Sequence, residues 1–215
     1  MLTALDLRKL RCLDGLHYSF EILEFTHQSL WQTCCAIRSD NSKAAVALSH
    51  CWSFIDSLHR IREIAQAVPG LGSKHLEMRT FLSATSLAEN CRHYIQHVRH
   101  ELSKDPPITF PVWGSLSWVD PDDETNCYTA MLVDQIAGTQ YTGCVFDTVE
   151  GRWVSKVCLG VDSHSFNFDL MHQAALRFRA FVIPMLVESA APEIQFHDKL
   201  PITSASFRLP RLGDA

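Results

Sequence analysis

The stretch Asp105-Pro106-Pro107-Ile108-Thr109-Phe110-Pro111-Val112-Trp113-Gly114-Ser115-Leu116-Ser117-Trp118-Val119 divides the chain into two textures. Before it, apolar residues recur at helical spacing. After it, β-branched and aromatic residues crowd into short runs. Pro106 and Pro107 oppose helix continuation, since proline lacks the N–H and restrains the residue before it. The boundary is therefore placed there, between a helical unit (1–106) and an α+β unit (107–215).

Upstream, Leu13 to Ile37 has no Pro and no Gly after Gly15. Phe20, Leu23, Phe25, Leu30, Trp31 and Ile37 recur near the helical period. Ser39-Asp40-Asn41-Ser42 reads as a turn able to cap a second helix, Lys43 to Ala67. Val68-Pro69-Gly70-Leu71-Gly72 ends that helix. A connector, Ser73 to Glu77, leads to a third helix from Met78 to Ser103. Three long helices with short links predict an antiparallel bundle.

Downstream, four strands are predicted: Ile108–Val119, Cys127–Ile136, Tyr141–Thr148 and Arg152–Val161. Pro121-Asp122-Asp123-Glu124 and Val149-Glu150-Gly151 are their turns, which suggests an antiparallel meander. From Asp169 the period is helical again, through Leu170, Ala174, Leu176, Phe178, Phe181, Val182 and Met185. That helix should cover one face of the sheet, because a lone sheet must bury its apolar side. The tail carries Pro192, Pro201 and Pro210 and reads as a wrapping arm with a short strand near Ile202–Arg208. The expected fold class is α+β: an antiparallel helical bundle, then a four-strand antiparallel sheet with one packed helix.

Composition narrows the function classes. The 215 residues are 47% hydrophobic and 20% charged, which excludes a disordered, collagen-like or disulfide-scaffold chain. The net charge of -5 argues against a broad nucleic-acid footprint while leaving room for a local basic site. Met1–Leu16 lacks the apolar core of a secretory signal. No uncharged apolar run approaches the roughly 18 residues that span a bilayer. A cytoplasmic protein that does not enter membranes is expected. The eight cysteines, with no C-x-x-C pair, are then free thiols, and Cys51, Cys91 and Cys158 are expected in the core. Walker loops, dinucleotide fingerprints, G-x-S-x-G and H-E-x-x-H are all missing from the sequence.

Helix three carries the sharpest signal. In Glu89-Asn90-Cys91-Arg92-His93-Tyr94-Ile95-Gln96-His97-Val98-Arg99-His100, a turn of about 100° per residue puts Leu87, Cys91, Tyr94, Ile95, Val98 and Leu102 on one apolar face. Glu89, His93, His97 and His100 form the opposite stripe, with Arg92 and Gln96 beside it. The plain reading is a solvated face, but Lys and Glu dominate such faces more than His does. Arginine and histidine together suit phosphate chemistry: the guanidinium fork holds the anion, and the imidazole moves a proton near neutral pH.

The segment Arg92 to His97 resembles the R-x4-6-H motif of the HEPN superfamily, with His93 where the common form has Asn. The resemblance covers about residues 8–104. It implies a helical bundle, pairing of two copies around a shared cleft, and metal-independent RNA cleavage in many members, with noncatalytic members besides. Arg92 and His97 are then the catalytic candidates. On helix two, Asp56, His59 and Arg60 share an arc with Glu63 and, with His93, are supporting candidates. Asp56 with Arg60 is also an ordinary i,i+4 pair. No metal or cofactor is expected at this site. A homodimer is expected, with RNA as the substrate of the catalytic reading.

Two rivals stand beside it. One is a noncatalytic protein- or ligand-interaction module. The other is a metal-binding bundle, since Glu24-x-x-His27 and Asp56-x-x-His59 each put a carboxylate and an imidazole on one helix face. Paired motifs of that kind hold di-iron sites with further carboxylates, for which Glu21, Glu63 or Glu89 would serve.

Overall fold

Thr3 opens the first helix with a reciprocal cap: its hydroxyl accepts from Asp6 N–H, and the Asp6 carboxylate accepts from Thr3 N–H. Two orphan donors are satisfied at once. The helix α1 (Ala4–Ala36) therefore starts nine residues before the predicted Leu13 in the computed structural model. The model describes residues 3–72, 74–105, 110–133, 142–162, 164–189, 200–202 and 204.

Along α1, Leu13, Leu16, Phe20, Leu23 and Leu30 form a buried stripe. It packs on α2 (Lys43–Ala67), which buries Phe54, Ile55, Leu58 and Ile61. Contacts of Gly15 with Ile64 and of Phe25 with His50 give the pair its antiparallel sense. Gly15 lets the helices approach here, because a Cβ would stand 3.0 Å from Ile64 Cδ1.

The predicted third helix is three pieces: α3 (Leu76–Ala84), α4 (Leu87–Gln96) and α5 (Val98–Leu102). The first break has a clear cause. Arg62 of α2 is only 4% exposed, and it donates to Leu82 O at 2.6 Å and to Thr85 Oγ at 2.7 Å. The buried guanidinium thus takes up a carbonyl at the α3 terminus and stops the helix. The second break is at His97, which leaves helical geometry with φ -109° and ψ 21°. It shifts the phase of α5 relative to α4, so Leu102, expected on the apolar face, is 56% exposed. Cys91 and Tyr94 are buried as expected, while His93, His97 and His100 are exposed.

The second half is a four-strand antiparallel sheet flanked by a separate hairpin. β1 (Ser115–Val119) pairs with β2 (Cys127–Met131) and β5 (Val157–Val161), and β5 pairs with β6 (His164–Asn167). The order β2-β1-β5-β6 is not the predicted simple meander. The predicted strand Arg152–Val161 divides at Lys156, whose N–H donates to Asp169 Oδ2 at 2.6 Å. Its first part, β4 (Arg152–Ser155), pairs among the described residues only with β3 (Val145–Asp147). The predicted first strand begins late because Gly114 N–H turns back to Pro111 O at 2.8 Å. Residues 108–109, 134–136 and 141 of the predicted strands lie outside the described residues, as does most of the arm and its strand near Ile202–Arg208.

Helix α6 (Phe168–Glu188) buries Phe168, Ala175, Phe178, Val182 and Leu186. It is the one described helix long and apolar enough to cross a membrane. It packs on the bundle along one face, with 22% of that apolar stretch buried: Phe178 stacks on Phe81 of α3 at 4.2 Å, and Arg179 reaches Glu21 of α1 at 2.7 Å. Phe54 of α2 meets Phe166 of β6 and Phe168 of α6 edge-on. The buried residues form one continuous cluster from α1 to β6 and α6, so bundle and sheet share a core.

Gly114 is the tightest backbone contact in the sheet. Its φ is +86°, and a Cβ there would lie 2.1 Å from Gly160 O of β5. Gly114→Ala should destabilise the protein by more than ~1 kcal/mol, since the left-handed backbone and the clash add. A lower urea midpoint at unchanged slope is expected; an unchanged midpoint contradicts this account.

Candidate functional site

A groove of about 690 Å³ runs between α1, α2 and the middle of α4. Tyr18, Ser19 and Ile22 of α1 form one wall; Ser53, Asp56, His59, Arg60 and Glu63 of α2 line the other, and Arg92 of α4 enters from its end. Residues 53, 56, 57, 60, 63 and 64 share one helix face at the α-helical period, which is why α2 can offer a polar strip while burying Phe54, Leu58 and Ile61.

Asp56 organises the groove's charge. One carboxylate oxygen accepts from Arg60 Nε at 2.6 Å and the other faces Arg92 Nε at 3.3 Å. Two guanidinium groups thus share one carboxylate, with Glu63 on the same lining as a second negative charge. His59 stands beside them. Its Nδ1 is buried and lacks a hydrogen-bond partner. Burial, and then the charge of Arg92, pull its pKa below the ordinary 6.5, against the opposing pull of Glu63 and Glu89. The imidazole therefore keeps its neutral form to lower pH than a free histidine, as a weaker base.

His59 and Arg92 also line an adjoining depression of about 350 Å³ with Glu89, His93 and Gln96. His93 carries His97 with it, ring centroids 4.3 Å apart. The structure thus gathers Asp56, His59, Arg60 and Arg92 in one groove and places His93 in the next depression. His97 is at neither lining; it sits at the helix break, one ring further out. His100 is exposed beyond it.

His59, Glu63 and Glu89 bring one ligand atom each within 4.8 Å of one another, the one such group among the described residues. Glu89 is already committed to buried Arg62 at 2.8 Å. A cation there would compete with Arg62 for Glu89, so the group is better read as the counter-charge of the groove.

The paired carboxylate-x-x-His motifs come together differently from the expectation. Glu24-x-x-His27 of α1 faces Asp169-x-x-His172 of α6, not Asp56-x-x-His59 of α2. Each imidazole bonds the other helix's carboxylate: His27 to Asp169 at 2.9 Å and His172 to Glu24 at 2.7 Å. The two rings stack at 3.8 Å and 12°. Asp169-Leu170-Met171-His172 carries the same pattern, and that repetition was the signal available in the sequence. Stacked rings turned to opposite carboxylates form a clamp between helices rather than a chelate. A cavity of about 260 Å³ beside the clamp is lined by His27, Trp31, Lys156 and Asp169.

No protein-family model, no curated protein and no solved structure matches this chain.

Proposed function

We propose that this chain is a cytoplasmic, homodimeric, metal-independent endoribonuclease of the HEPN kind, with the α2–α4 groove as its RNA site. The observation that carries the reading is Arg92: it enters the groove beside a second arginine and a histidine whose pKa is lowered by burial and by Arg92. Asp56 keeps Arg92 extended across the opening until a phosphate takes its place. RNA holds its own nucleophile, the 2′-hydroxyl, so the protein need only move protons and stabilise the five-coordinate phosphorane. Arg92 does the second, and His97 moves a proton from the rim, where a second copy would complete the cleft. Arg60 adds a further phosphate contact, and His93 holds the His97 ring.

The test is cleavage of RNA in the presence of EDTA. Arg92→Ala should lower the rate about 10²–10³-fold, the scale of losing one charge-stabilising donor. His97→Ala should lower it about 10²-fold or more. Rates unchanged by both substitutions reject the assignment.

A noncatalytic interaction module is the second reading, favoured by one observation. Tyr18, Ile22 and Phe25 are 38%, 45% and 64% exposed along the groove side of α1. Such a stripe suits a partner surface. Absence of cleavage on every RNA tested, with loss of a partner or dimer on Phe25→Ser, would select it.

A further inference from the structure

Within the RNase reading, the groove holds more than the motif pair: among the described residues, His59 is the imidazole that lines the same cavity as Arg92. Two depressions meet at His59 and Arg92, the only described residues lining both. A phosphate held by Arg92 would therefore stand beside the His59 ring whichever depression the nucleoside enters. His97, by contrast, reaches this point only over the His93 ring.

We propose that His59 accepts the 2′-hydroxyl proton of bound RNA, and that His97 protonates the leaving 5′-oxygen from the rim. The 2′-oxygen bonds to phosphorus as the P–O5′ bond breaks. The hydroxyl proton passes to His59, a proton passes from His97 to the 5′-oxygen, and the products are a 2′,3′-cyclic phosphate and a 5′-hydroxyl. No further reactant is needed. The inference rests on the RNase reading and adds a division of labour between two histidines on different helices.

The surroundings of His59 suit a base. Asp56, Arg60, Arg62 and Glu63 face it from α2, and Glu89, Arg92 and His93 from α4; Tyr18 is the titratable group on the α1 wall. The buried Nδ1 makes no hydrogen bond, so Glu63 and Glu89, though within 4.8 Å of a ring nitrogen, do not tie the ring there as an imidazolium. Below its ordinary pKa of 6.5 the ring stays neutral for longer than a free histidine, so base catalysis extends into mild acid.

The test pairs RNA with uridine 3′-(4-nitrophenyl phosphate), whose leaving group departs without a proton. His59→Gln should lower kcat/KM by about 10²–10⁴ on both substrates. It should also abolish the acid limb of the pH profile. His97→Ala should be slow on RNA and near wild type on the nitrophenyl ester. If His59→Gln recovers on the activated ester, or matches wild type on RNA, the assignment of His59 is overturned while the RNase reading stands. If wild type cleaves neither substrate, or Arg92→Ala cleaves as wild type does, the RNase reading itself falls. Should His59→Gln unfold, wild-type NMR decides: the His59 ring signals must shift on adding uridine 3′-phosphate, and signals indifferent to the nucleotide overturn the proposal.

Discussion

Truncating Phe54 to Ala should lower the stability of the whole protein by about 3–5 kcal/mol, the range for a large aromatic removed from a packed core. The side chain has no solvent exposure and is among the largest fully buried groups. It is also the joint between the two textures of the chain. From α2 it meets Phe168 at 5.2 Å and Phe166 at 6.1 Å, both near perpendicular, and the His27 ring at 6.1 Å. Edge-to-face pairs of this kind add to simple area burial. A cavity there would touch α1, α2, β6 and α6 together. Amide exchange by NMR is the informative measurement. In Phe54→Ala the protection of α1 and α2 and that of β1 and β5 should fall by the same free energy, since one core unfolds as one unit. If the sheet amides keep their protection while the helical ones lose theirs, the halves are separate cooperative units and the shared core is energetically unimportant.

That experiment bears on what the sequence could convey. The two textures and the fold class were legible because periodicity survives in single segments: α1, α2 and α6 announce themselves by spacing alone. The breaks were not. Nothing local to Thr85 says that a helix stops; the cause is Arg62, more than twenty residues earlier, reaching Leu82 O and Thr85 Oγ. Tertiary contact overrode propensity. Likewise β6 is only His164-Ser165-Phe166-Asn167, with one buried apolar residue, and becomes a strand because β5 offers it a ladder. Strand order lay beyond periodicity as well: the division at Lys156 depends on Asp169, which no local pattern connects to it.

The candidate site was legible in part for the same reason. Asp56, His59 and Arg60 share a helical arc, and that arc does line the groove with Arg92. The sequence also put His93 and His97 on the polar side of their helix, and both are exposed. What spacing within one helix cannot convey is the distance between helices. It was the packing of α4 on α2 that set His59, rather than His97, beside Arg92. The carboxylate-x-x-His motifs show this more sharply. Glu24 and His27 were read with Asp56 and His59 as ligands of a metal-binding bundle, whereas they pair with Asp169 and His172 of α6 in crossed hydrogen bonds.

That clamp leads to the second large effect. Asp169→Ala should destabilise the protein by on the order of 3 kcal/mol at neutral pH, because its carboxylate accepts from two donors at once. Those donors are His27 Nε2 and Lys156 N–H. Hydrogen bonds to a charged group contribute about 1.5–3 kcal/mol each, and removing the acceptor leaves donors unpaired. Asp169 also lies in the first turn of α6, where negative charge is favoured. The direction of each pKa shift sets the pH dependence. Burial alone would raise the Asp169 pKa; the bonds from His27 and Lys156 lead the opposing causes and hold it below the ordinary 3.8. Its contribution is therefore complete above pH 3.8 and is lost as pH falls through the lower folded value. Glu24 behaves in the same way below 4.5, through His172 and Gln28 against its own burial. His172 is different in kind but not in sign. Burial pulls it below 6.5 despite Glu24, so the unfolded chain binds its proton first, and stability falls as pH drops from 6.5 through the folded value. Wild type should thus soften in two stages on acidification, the first from His172 and the second from the carboxylates. Urea midpoints of wild type and Asp169→Ala should stay separated above pH 3.8 and converge below it. Convergence is the decisive feature: a gap that persists in strong acid would mean that Asp169 acts through the shape of its side chain, and that the crossed pairs between α1 and α6 are not held by charge.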